Sequence, residues 1–73
     1  MSYQYTFNYP NGRRADLGVY SGDRKEILKM AMELSKKKGR TIVVRRHTYD
    51  WYNDSNYAVA WVENGKIISG GQF

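Results

Sequence analysis

His47 is the only histidine in the chain, and the nearest groups that could work with it are Thr48 and Asp50. A nucleophile, a base and an orienting carboxylate must converge within hydrogen-bond reach. On an extended chain, spacings of i, i+1 and i, i+3 do not converge, because alternate side chains leave opposite faces. His47, Asp50 and Asp54 could be drawn as a metal site, but the ligand set is marginal and fits no spacing motif. Cysteine is absent, which removes thiolate metal sites, disulfides and thiol nucleophiles. Asn11-Gly12 and Gly70-Gly71 match neither a Walker loop nor a dinucleotide-binding glycine pattern. No paired acids suited to hydrolysis stand out. The sequence therefore predicts no catalytic residue, no metal and no cofactor, and a protein that is not an enzyme.

The remaining chemistry is that of contact. Aromatic residues make up 15% of the chain, and the formal charge is +5, with a pI near 9.6. Eleven of the twelve Lys and Arg residues fall in residues 1–49, against four carboxylates, whereas residues 50–73 hold one cation and three carboxylates. Arg13, Arg14, Lys36, Lys37, Lys38, Arg40, Arg45 and Arg46 are the cations expected to form a basic surface. Cations interleaved with aromatics suit single-stranded nucleic acid. Lys36–Lys38 also have a structural explanation, since the C-terminal end of a helix favours positive charge. Tyr49, Trp51 and Tyr52 place three large aromatics within four positions, and Tyr57 and Trp61 follow. Tyr and Trp beside Arg are the residues enriched at protein-binding hot spots, so these five are the predicted partner-binding residues.

The elements that must position these groups follow from periodicity. Seventy-three residues make one domain, 1–73, with a core that leaves a thin stability margin. Tyr3, Tyr5, Phe7 and Tyr9 alternate with Gln4, Thr6 and Asn8, the period of a half-buried strand. Pro10-Asn11-Gly12 turns the chain, and Ala15, Leu17 and Val19 alternate in a second strand over 14–20. Asp23 with Glu26 three residues later forms a capping-box pattern. Ile27, Leu28, Ala31 and Leu34 then share one stripe of a helix over 23–38, closed by Gly39. Strands over 40–49, 57–63 and 66–69 complete the chain. The last two are joined by Asn64-Gly65, a strong hairpin signal. A two-residue loop there would pair Glu63 with Lys66, Val62 with Ile67 and Trp61 with Ile68. The order predicted is β-β-α-β-β-β, an α+β domain with an antiparallel sheet of about five strands and one helix on one face.

One helix hides one face only. The small residues Ala58 and Ala60 suit the helix side with Val62 and Ile67, which would leave Tyr57, Val59, Trp61 and Ile68 as an outward patch. Such a patch marks an interaction site or a homodimer contact, unless the loop 50–56 folds over it.

In size, lack of cysteine, tyrosine content and the helix Asp23–Lys38 laid on a sheet, the chain resembles the small accessory proteins of phages and other mobile elements. The order of helix, strand and a hairpin such as Trp61-Val62-Glu63-Asn64-Gly65-Lys66 is similar in architecture to some small phage anti-CRISPR proteins. That resemblance implies an inhibitor that acts by occupying a surface of a nucleic-acid-handling complex, sometimes in place of its DNA. The expected partner is thus a protein or protein–nucleic-acid complex. Direct, largely sequence-independent nucleic-acid binding and a small structural or regulatory homodimer are the alternatives. No apolar run approaches the ~18 residues of a membrane span, and Met-Ser-Tyr-Gln-Tyr lacks the features of a signal peptide. A cytoplasmic protein with no membrane partner is the expectation.

Overall fold

The computed structural model describes residues 3–49 and 54–73. Its elements are β1 (Gln4–Asn8), α1 (Arg24–Lys38), β2 (Ile42–Tyr49), β3 (Asp54–Glu63) and β4 (Lys66–Gly70). The strands form one antiparallel sheet in the order β1-β2-β3-β4, and α1 lies across β2 and β3 on one side.

The helix begins where the capping pattern places it. Asp23 is extended, at φ −81°, and its side chain accepts from the Glu26 N–H at 2.9 Å. Gly39 takes the left-handed conformation at φ 64° and donates its N–H to Ser35 O at 3.0 Å. The buried stripe is Ile27, Leu28, Ala31 and Ser35, and Leu34 lies at its margin. Steps of four from Ile27 lead to Ala31 and then to Ser35, so the serine takes the inward position that the sequence pattern gives to Leu34. Against this stripe the sheet sets Phe7, Ile42, Val44, Ala60 and Val62, with Tyr5 and Ala15 completing the core.

The predicted second strand does not form as a strand. The segment after β1 does return along its outer edge: Tyr9 N–H donates to Arg13 O, Ala15 N–H to Phe7 O, and Tyr5 and Tyr20 exchange both backbone bonds. Arg14 faces Asn8 and Tyr20 faces Tyr5, so five residues return where β1 spends two. The excess bulges outward at Asp16–Val19. Asp16 causes this: its Oδ1 accepts from Gly18 N–H at 2.7 Å and its Oδ2 from Tyr20 O–H at 2.8 Å, while Arg14 donates to Gly18 O. A local Asx turn thus outcompetes the ladder. Leu17 is left 90% exposed and Val19 half exposed. Tyr20 packs against the core instead, its ring centroid 5.2 Å from that of Phe7.

Two further bulges correct the predicted faces. Val44 pairs with Ala60 and Arg45 with Ala58, so Val59 is an extra residue in β3. Ala58 is thereby carried to the side away from the helix, together with Trp61, and Tyr57 to the helix side. Glu63 pairs with Lys66 and Val62 with Ile67 as expected, but Trp61 pairs with Ser69 and not with Ile68. Ile68 is the extra residue of β4, and it and Ile67 are both exposed.

The candidate binding face of the sheet

Paired residues of antiparallel strands share a face, so the side away from α1 can be read row by row. Gln4, His47 and Asn56 form one row; Thr6, Arg45 and Ala58 the next; Asn8, Val43, Trp61 and Ser69 the third. None of these residues is acidic; acids enter only in the flanking rows, where Tyr49 pairs with Asp54 and Glu63 with Lys66. Thr6, Asn8 and Val43 form a buried floor, and Arg45, His47, Ala58 and Trp61 stand half-buried around it. The floor is polar and fixed: Asn8 Nδ2 donates to Thr6 Oγ1 at 3.0 Å, and Thr6 Oγ1 shares a hydrogen bond of 2.8 Å with His47 Nε2.

A groove of about 230 Å³ opens on this face. The Val59 bulge makes Ala58 and Trp61 successive residues along it, so a methyl group, not a large side chain, lies between the indole and Arg45. Asn8 and Val43 line the groove from below, and Tyr9, Pro10 and Gly12 from the turn after β1. Arg40 lies over the Tyr9 ring, its guanidinium carbon 3.9 Å from the centroid, but it lines a separate cavity with Glu63 and not the groove. Arg13 follows Gly12 directly and is exposed.

The remaining predicted site residues are dispersed. Arg46 lies on the helix side, its guanidinium carbon 4.4 Å from the Tyr3 ring and 5.0 Å from the Tyr57 ring. Its Nε is buried and has no hydrogen-bond partner among the described residues, so the rings take part in holding the charge. Tyr57 therefore belongs to a different side from Trp61. Lys36, Lys37 and Lys38 occupy the last turn of α1 and are exposed. Arg14 is exposed but engaged with Gly18 O. Tyr49 ends β2, and nothing is described of its side chain; Trp51 and Tyr52 lie outside the described residues, as does Asp50 of the conceivable metal set. Among the described residues, no group of three or more metal-ligating side chains occurs. His47 and Thr48 leave β2 on opposite faces, as alternation requires.

Thr6, Asn8, Pro10, Gly12 and Ala58 line or floor the face, yet sequence reasoning assigned them no site role. The alternation of Gln4, Thr6 and Asn8 against the tyrosines was the available signal, since it puts three hydrogen-bonding side chains on the face away from the core. Ala58 carried none, because the bulge that moves it has no mark in the sequence.

A second cavity, also about 230 Å³, lies between the Asp16–Val19 bulge and the helix. Phe7, Tyr20, Met30 and Leu34 provide its apolar wall and Asp16, Glu33 and Lys37 its rim. The hydrogen bond from Gly18 N–H, then that from Tyr20 O–H, holds the Asp16 carboxyl below its ordinary value, and the same Asp16 bond raises the Tyr20 phenol.

No family model, curated protein or solved structure matches the chain. Among the described residues, no helix is long and apolar enough to cross a membrane.

Proposed function

We propose that this chain is a non-enzymatic binding protein that docks on a nucleic-acid-processing complex through the sheet face away from its helix. One observation carries the reading: that face sets Trp61 and Arg45 around a fixed polar floor, the three rows that form the floor and its walls hold no carboxylate, and no described element packs on it. An aromatic anchor beside an arginine is the composition of a binding hot spot, and the absence of acid from the central rows suits a partner that carries phosphates or a negative surface. A small inhibitor of the phage accessory kind would use such a face to occupy a surface that otherwise handles nucleic acid.

The test is affinity capture with purified nucleic-acid-processing complexes of a bacterial host, each with and without nuclease treatment. Retention of one complex that survives nuclease, and that is lost with Trp61→Ala combined with Arg45→Glu, is the expected result. Retention unaffected by that double variant would move the site off this face. A second reading, direct nucleic-acid contact, is favoured by the groove itself, which sets Arg45 beside Trp61 in an aromatic-walled slot. It predicts that any capture disappears with nuclease and that oligonucleotide affinity falls steeply with salt.

A further inference from the structure

We propose that the groove beside Trp61 is a subsite for one unpaired nucleobase of a single strand, stacked on the indole with its adjoining phosphate on Arg45. This inference rests on the direct-contact reading and adds to it the part of the nucleic acid that is held. The size of the groove, about 230 Å³, is below the ~300–1,000 Å³ of pockets for drug-sized ligands. It is on the scale of a single ring system. Its chemistry is equally restrictive. Trp61 supplies a π surface, and stacking on an aromatic side chain accepts any base. Ala58 leaves the space that a larger residue would fill. Arg45, across from Ala58 in the same row, stands where a phosphate one bond sequence away from a stacked base would lie, and guanidinium is well matched to phosphate oxygens. The floor is pre-organised, since Asn8 is held by Thr6 and Thr6 by His47. A floor ordered before binding loses less freedom on binding. An aromatic side chain of a peptide would fit the slot but would leave Arg45, the cation that lines it, without a counter-charge. A base brings its own.

The chain has two tryptophans, so Trp51→Phe leaves Trp61 as the only indole. In that background, a labelled ten-nucleotide single strand is titrated against an abasic strand of the same length at ~50 mM and ~200 mM salt, by Trp61 fluorescence and by anisotropy. The strand with bases is expected to quench Trp61 and to bind roughly 10-fold or more tighter than the abasic strand, within the range measured for a stacked base. Ala58→Leu fills the slot while keeping every charge, and should bring the affinity down to the abasic level with the salt slope unchanged. Trp61→Leu, followed by anisotropy, should do the same and guards against misfolding of the first variant; far-UV circular dichroism checks both. Equal affinity for the two strands, with strong salt dependence, overturns the subsite and leaves direct contact standing as a charge-driven interaction. A preference for bases that survives both variants also overturns it, by placing stacking elsewhere. No binding of either strand at the lower salt removes the direct-contact reading and the subsite with it.

Discussion

A hydroxyl fully buried in a helix needs partners on both of its sides, and Ser35 has them. It donates to Met32 O and accepts from the Gly65 N–H, both at 2.8 Å. The helix is thereby fastened to the β3–β4 turn through one oxygen. Ser35→Ala leaves the Gly65 donor unmatched and should cost about 1–3 kcal/mol, read as a lower urea midpoint with the slope unchanged. Leu17 is the opposite case. Its side chain touches little, so Leu17→Lys should shift stability by no more than about 0.5 kcal/mol, whereas Tyr20→Ala should cost roughly 3 kcal/mol, near the low end for a large aromatic in a core. A denaturation series in which Leu17 proved the costlier residue would reverse the assignment of which side chain serves the core. Asp16 makes the bulge sensitive to pH. Its carboxyl is held below the ordinary value of 3.8, so its contribution is complete above that pH and is lost as acid protonates it. Tyr20, raised above 10.0, contributes fully below that pH and loses its contribution as base ionises it. Asp16→Asn should therefore flatten the acid limb of a stability–pH curve below about 4 and leave the neutral plateau's shape unchanged.

Among the elements, two glycines separate conformational strain from steric clash. Gly39 sits at φ 64° with open space where a Cβ would go, so Gly39→Ala should cost only the left-handed penalty, about 1 kcal/mol. Gly70, at φ 71°, would drive a Cβ into the Val59 carbonyl oxygen and against the Ala60 backbone. Gly70→Ala should be clearly worse than Gly39→Ala, and thermal melts of the pair would show the order. The helix and its two caps were legible in the sequence because Asp23, Glu26 and Gly39 act through backbone groups within a turn of themselves. The Asn64-Gly65 turn was legible for the same reason, and it fixed the first two pairs of its hairpin. What could not be read is set by competition between distant parts of the chain. Val59 and Ile68 become extra residues only because β3 must satisfy β2 on one side and β4 on the other. One bulge is enough to exchange the faces of Ala58 and Tyr57, and with them half of the expected patch. The missing second strand was a local matter that alternation concealed, since the Asp-x-Gly of residues 16–18 is itself a turn signal.

For the whole molecule, the margin is thin enough for its periphery to count. Phe73 packs partly buried on the core, its ring centroid 5.4 Å from that of Tyr5. Phe73→Ala should remove about 1 kcal/mol of burial, a loss of roughly 4–8 °C in Tm for a domain of this size. The candidate face was partly legible at this scale: Trp61, Arg45 and the uneven charge pointed to it, Tyr57 was drawn in because the bulge was not visible, and Arg46 because its charge was counted without the alternation that sets it opposite Arg45. The two borders of the sheet are unequal. Along β1 the outward backbone groups of Tyr5, Phe7 and Tyr9 bond to the returning segment 13–20, whereas no described strand pairs with the outer border of β4, where Ile67 and Ile68 are exposed. Fibril-like growth needs two free borders on every molecule, so that each new copy offers a place for the next. Here one copy meeting another along β4 would use the only open border that the described strands leave. The Asp16 bulge and its flanks, which cost the molecule a regular strand, make the sheet a chain terminator for its own polymerisation.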